Sequence, residues 1–202
     1  MRVRIFPLAL GKIVKHAASS IHKEVAGLLI GKSSGQYLEI WDAVTGEQYG
    51  TPAYVHLDEE VMARVAEDLS RLGKGLYIVG WYHSHPGLDV FLSPTDIDTQ
   101  TRYQAMYPKA VALVVDPVEY TKTLKITSLK FKVFQISKEG KVVSLPVSIG
   151  VHRGKLLEST LHALSTFDIR QLLSEAQGRT ESSGSNASRE GFLEKAKKLL
   201  GK

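Results

Sequence analysis

The 202-residue chain contains no cysteine. That excludes disulfides, thiolate metal sites and a cysteine nucleophile, although it does not fix a redox compartment. No apolar run approaches ~18 residues, so no membrane-spanning helix is expected. The stretch Met1-Arg-Val-Arg-Ile-Phe-Pro7 is basic but lacks an apolar h-region and a cleavage site. It reads as mature protein rather than a signal peptide, and a cytoplasmic location is expected. Charge of one sign is scarce too: the net excess is +5, with basic and acidic residues interleaved. Only residues 122–141 are locally basic, with Lys122, Lys125, Lys130, Lys132, Lys138 and Lys141 against Glu139. A solvated strand face explains this run better than a nucleic-acid interface, and Phe131 and Phe134 read as packing residues rather than stacking platforms. Neither nucleic acid nor a membrane is expected as a partner.

What is present suffices for a substantial core, since 43% of residues are apolar. The length suits one substantial domain plus an appendage, or two small ones. Apolar groups at Leu10, Ile13, Val14, Ala17 and Ala18 have helical spacing over 8–19. Residues 24–31 read as a strand buried on both faces, and Ser33-Ser34-Gly35 turns it into a second strand at 36–44. Residues 45–56 read as a loop. Asp58 is a candidate cap for a helix to about 72. Residues 76–82 are the next strand, Ser93-Pro94 starts a helix running to about Met106, and 109–116 is a further strand. Residues 122–136 alternate in two phases, which predicts strands with a bulge or turn near Thr127-Ser128. Helical spacing resumes at 154–176, a polar linker follows, and Phe192, Leu193, Ala196, Leu199 and Leu200 line one face of a last short helix. The predicted fold is α/β, bordering on α+β: a mixed central β-sheet flanked by helices.

One short segment carries the chemistry. His83-Ser-His85 stands at the end of the 76–82 strand, and Asp96 follows in the first turn of the next helix. In extended backbone, residues i and i+2 face the same way, so both imidazoles can reach one ion. Two His and one carboxylate with an open fourth position match catalytic zinc, and hence metal-assisted hydrolysis. Ser93-x-x-Asp96 is also a capping-box variant, which offers both residues a purely local role. His16, His22, His56, His152 and His162 show no ligand spacing.

The set resembles the JAMM (MPN+) family of zinc metalloproteases. The family signature is His-x-His, seven residues, Ser, two residues, Asp, and it fits His83, His85, Ser93 and Asp96 without insertion. Gly80-Trp81-Tyr82 and Pro86-Gly87 also match, as does Glu24 before Val-Ala-Gly27-Leu28-Leu29-Ile-Gly31. The likeness covers residues 8–136 and is nearest to the proteasome lid deubiquitinase and its archaeal homologues. It implies an MPN/JAMM, cytidine-deaminase-like fold and one Zn²⁺ per chain, held by His83, His85 and Asp96 with water fourth. Glu24 is implied as the general base and Ser93 as an oxyanion donor. Their plainer alternatives are a surface acid beside Lys23 and a helix cap. Where many members carry a cysteine after the second His, this chain has Asp89-Val90.

The implied organisation is a catalytic domain at 1–150, a helical extension at 151–176, a flexible linker at 177–188 and a short amphipathic helix at 189–202. Residues 45–56 and 87–92 are expected to flank a substrate groove, with Trp81, Val90 and Phe91 as its candidate lining. Trp81 has a core position as its alternative. The implied substrates are conjugates of ubiquitin or a ubiquitin-like modifier, and the implied associations are a homodimer, an MPN-type partner and the proteasome. The rival readings are a zinc peptidase acting on another small modifier or peptide, and an MPN-type scaffold subunit. A scaffold has no need of Glu24 and Ser93 beside three ligands.

Overall fold

The most apolar stretches of the sequence become the middle of one sheet. The computed structural model describes residues 1–45 and 59–150. The chain divides into two compact units, Met1–Ser165 and Thr166–Lys202, and the described residues all belong to the first. In chain order the described elements are β1 (Arg2–Ile5), α1 (Pro7–Ala18), β2 (Ala26–Ser34), β3 (Tyr37–Thr45), α2 (Glu59–Leu72), β4 (Tyr77–Ser84), α3 (Pro94–Met106) and β5 (Val111–Asp116). They continue with α4 (Val118–Thr123), a 3₁₀ turn at Ile126–Ser128, β6 (Lys130–Ile136), β7 (Val142–Leu145) and β8 (Val147–Ile149). Among the described residues no helix is long and apolar enough to cross a membrane. The expected cap at Asp58, residues 46–56 of the expected loop, and the segments assigned to 151–176, 177–188 and 189–202 lie outside the described residues.

The strand order is β7-β6-β5-β4-β2-β3-β1-β8. β4 and β5 are parallel, as are β1 with β3 and β8; the other pairs are antiparallel. The sheet is therefore mixed, with helices on both faces, as expected. β7 and β8 stand at opposite ends of this order, yet Pro146 alone joins them. At ~4.8 Å per strand spacing, a flat sheet of this width would separate its ends by about 34 Å. One residue spans at most about 3.6 Å. The sheet must therefore curl until its ends meet, and 142–149 runs as one bent strand from β6 to β1. Leu145 pairs with Val133 of β6, while the Pro146 carbonyl accepts from Val3 N at 2.9 Å.

The curl encloses α1. Pro7 sits in its first turn, where a missing N–H costs nothing. Ala9, Leu10, Ile13, Val14 and Ala17 then pack on strands from both ends of the order, including Ile5, Leu38, Leu113 and Val133. Across this core, His16 Nδ1 and the Tyr82 hydroxyl lie 2.8 Å apart. A second core forms on the opposite face, where α2 and α3 cover Leu28, Ile30, Trp81, Ala112 and Val114. α3 is the crossover between parallel β4 and β5, so its N-terminus lies near the C-terminal end of β4. That junction is where open α/β sheets place ligands.

Two expectations change. Residues 122–128 are not strand: α4 ends at Leu124, whose φ of 54° is left-handed, and the 3₁₀ turn follows. Of the two alternatives expected near Thr127-Ser128, a bulge or a turn, the structure has the turn, which leads into β6. The β2/β3 hairpin also turns later than expected, with Ser34 paired to Tyr37 across Gly35-Gln36.

At Gly80, β4 leaves no room for a side chain beside β5. The residue's φ is +151°, and a Cβ there would stand 2.0 Å from the Val111 carbonyl oxygen. Gly80→Ala should lower unfolding free energy in urea by at least about 3 kcal/mol. Gly35→Ala, at φ +56° with nothing within 4 Å, should cost only about 1–2 kcal/mol. Equal costs would contradict the packing described.

Candidate metal centre

Strand register brings the chemistry-bearing residues together. Ala26 of β2 pairs with His83 of β4, and His83 pairs in turn with Val114 of β5. Two-residue alternation puts Trp81, His83 and His85 on the α3 side of the sheet. Ser84 points the other way, is fully buried, and ties the chain preceding β2 to the end of β4. Its Oγ accepts from Val25 N at 3.0 Å, and its own N–H donates to the Val25 carbonyl at 2.9 Å. Glu24, one residue away, is held at the rim of the cluster by that pairing. Its Oε1 lies 3.7 Å from His85 Nε2, and the side chain stays partly open to solvent.

Asp96 arrives from α3. Ser93 is the N-cap, and its hydroxyl accepts from Asp96 N at 3.2 Å. Asp96 Oδ2 in turn accepts from Ser93 N and from Ser93 Oγ, both at 2.7 Å. The capping box is therefore complete, as the local reading of Ser93-x-x-Asp96 expected. It does not exclude the other role, because the same box aims the carboxylate at the histidines. Asp96 Oδ2 lies 3.4 Å from His83 Nε2 and 3.5 Å from His85 Nε2, and the two Nε2 atoms are 3.0 Å apart. All three side chains are buried.

These separations test whether the cluster fits an ion. A tetrahedral ion with bonds of about 2.0–2.1 Å has ligand atoms about 3.3–3.4 Å apart. The observed triangle of 3.0, 3.4 and 3.5 Å matches that edge length within a few tenths of an ångström. Each residue offers one donor atom: two imidazole nitrogens and one carboxylate oxygen. The fit is to a divalent metal held on three sides. Glu24 stands beside the triangle rather than in it.

The expected groove residues separate. Trp81 is 1% exposed and Val90 7%, both in the core beneath α2 and α3, so neither lines a surface groove. Their apolar bulk is what seals that core. Phe91 is exposed and lies 4.8 Å from the His85 ring, centroid to centroid. The segment after His85 is anchored from β5 by buried Asp116, whose Oδ1 accepts from Gly87 N and Val118 N, both at 3.0 Å. Sequence reasoning passed over Asp116 and treated Ser84 as a spacer. Strand parity was the available signal for Ser84: a residue between two ligands must face the opposite core.

Comparison with known proteins follows the same residues. A family model described as JAB1/Mov34/MPN/PAD-1 ubiquitin protease matches residues 1–109. The chain is 41% identical over 122 residues to an uncharacterized protein of Caenorhabditis elegans, covering 59% of this chain and 38% of that one. It is 38% identical over 122 residues to 26S proteasome regulatory subunit RPN11 of Eremothecium gossypii, covering 59% and 39%. Ubiquitin carboxyl-terminal hydrolase RPN11 of Saccharomyces cerevisiae is 36% identical over 122 residues, covering 59% and 40%. The chain thus spans about two fifths of the length of these curated relatives. The solution structure of a protein from Desulfitobacterium hafniense shares the fold, with a TM-score of 0.54, 19% identity, and coverage of 73% of this chain and 92% of that one.

Protons and metal compete for the same atoms. At Asp96, burial opposes the charge, but His83 and His85, then the Ser93 hydroxyl, hold the carboxyl well below its ordinary value of 3.8. It stays an anionic ligand throughout the neutral range. At His85, burial opposes protonation, but the hydrogen bond to Asp96 and the charges of Glu24 and Asp96 outweigh it, raising the ring above its ordinary 6.5. A raised folded value means the imidazolium stabilises the metal-free fold at acid pH. That contribution fades as pH rises through the raised value. Metal affinity, measured with zinc against a chelator, should therefore already fall with acidification above about pH 6.5 and fall faster below it. A flat profile from about pH 6 to 8 would contradict this.

Proposed function

The chain belongs to the JAB1/Mov34/MPN/PAD-1 ubiquitin protease family, and from that premise we propose that it is a zinc isopeptidase removing ubiquitin or a ubiquitin-like modifier from other proteins. The observation that carries the reading is a partly exposed carboxylate, Glu24, 3.7 Å from one of three buried metal donors. A metal-binding scaffold needs the donors alone. A hydrolase also needs a base beside them, free to gain and lose a proton.

His83, His85 and Asp96 would hold the zinc ion, which would supply a Lewis acid that makes water a nucleophile near neutral pH. Glu24 takes the proton of the attacking water on a carboxylate oxygen and delivers it to the leaving lysine amine. Asp96 stays ionised and leaves the chain's acid–base work to Glu24. Ser93 has one hydroxyl proton, given to Asp96 Oδ2 at 2.7 Å. Turning that proton to the developing oxyanion is its second role, and losing such a donor costs about 3 kcal/mol of transition-state stabilisation. Phe91 shapes the approach over His85. A two-glycine tail suits a narrow entry because glycine brings no side chain.

Residues 1–150 are the catalytic unit in this reading. Relatives whose names place them in the 26S proteasome support a proteasome or MPN-type partner, and the reading includes a cytoplasmic setting.

Glu24→Gln keeps the size of the side chain and removes its basicity. Zinc content should persist while turnover of a modifier joined to lysine through Gly-Gly drops by roughly 100-fold or more. The assay includes an unrelated peptide and a temperature series. Equal turnover by zinc-loaded Glu24→Gln and wild type would falsify the proposed base.

A further inference from the structure

Gln100 lies on α3, one turn beyond Asp96, and is fully buried. Both amide protons and the amide oxygen are engaged. Nε2 donates to the Ala110 carbonyl at 2.8 Å and to Gln104 Oε1 at 2.9 Å. Oε1 accepts from the indole Nε1–H of Trp81 at 3.0 Å. These partners fix the amide's orientation, because a carbonyl only accepts and an indole N–H only donates. Gln104 is itself anchored to the backbone of Ile136, accepting from its N–H at 2.7 Å and donating to its carbonyl at 2.9 Å. The Trp81 indole is thus tied through two glutamines to β6 and to the start of β5.

Trp81 also stacks on the ring of His83, with centroids 4.5 Å apart and planes 13° from parallel. Its other aromatic neighbour, Tyr103, lies at 6.0 Å and 24°. A metal-binding histidine is ordinarily held in orientation by a hydrogen bond from its second ring nitrogen. His83 has none: its Nδ1 is buried without a hydrogen-bond partner. The ring plane is set instead by the indole against it.

We propose that Gln100 is a positioning residue for the metal centre, setting the plane of His83 through Trp81 and thereby tuning metal affinity. The inference rests on the metal reading of His83, His85 and Asp96. A merely structural Gln100 would fasten α3 to the sheet, and its loss would lower stability without acting through Trp81. Positioning predicts coupling between the two residues at the metal.

The test is zinc affinity, by competition with a chromogenic chelator, for wild type, Gln100→Met, Trp81→Phe and the double variant. Trp81→Phe keeps an aromatic ring on His83 and removes the N–H that Gln100 holds. Each single change should weaken zinc binding about 10-fold, the lower end of what outer partners of metal ligands contribute. The double variant should be no weaker than the weaker single one. Additive losses, or wild-type affinity in either single variant, would overturn the proposal. Should Gln100→Met fail to fold, Trp81→Phe decides alone: a loss near 10-fold supports the proposal and unchanged affinity overturns it. A second readout uses the chain's two tryptophans. In a Trp41→Phe background, Trp81 emission should respond to zinc, and adding Gln100→Met should weaken that response; an unchanged response counts against the proposal. Wild type that binds no zinc would refute the metal centre itself, a result distinct from failure of the coupling.

Discussion

The register between β2 and β4 governs the site. Leu28 faces Trp81, Gly27 faces Tyr82 and Ala26 faces His83. A slip of one residue would turn every side chain of β4 to the other face. His83 would then point into the core around α1, and Glu24 would leave the metal cluster. Several features resist such a slip. Ser84 closes two hydrogen bonds on Val25, and the pairing shifts once, between Leu29 and Ile30. The close approach at Gly80 admits no side chain. The two apolar cores, one on each face, are the larger penalty against it.

The metal cluster depends on a second constraint, the N-terminus of α3. A capping box is a local device, worth about 1 kcal/mol in most helices. Here it has a further consequence, since the carboxylate that satisfies the cap is one of the three donors. Stability of the helix end and readiness of the site are therefore the same hydrogen bonds. That economy also engages Ser93, whose single hydroxyl proton is given to Asp96 Oδ2.

The metal donors were legible in the sequence because their spacing is short and rigid: a strand end, a tight connection and a helix start. The α1 and α3 spans and the central strands were legible from period and, for α3, from Pro94. The closure of the sheet was not. β1, β7 and β8 run three or four residues each, too short for alternation to register, and closure rests on the pairing of β1 with β8, more than 100 residues apart. The region after β5 misled because Leu124 and Ile126 mimic alternation while forming a helix end and a turn. Trp81 and Val90 read as groove residues because they adjoin the ligands in sequence, but alternation and the loop path send them inward. Gln100 and Asp116 carried no signal, because a buried amide or carboxylate declares its role only through partners distant in sequence.

The central claim is that His83, His85 and Asp96 hold one zinc ion with a position open to water. X-ray absorption at the zinc edge of the purified full chain tests it directly. The account predicts a four-coordinate ion with nitrogen and oxygen neighbours at about 2.0–2.1 Å, the scattering signature of two imidazoles, and no sulfur shell. Zinc bound through fewer than two imidazoles, or no zinc in protein prepared without chelators, would contradict it.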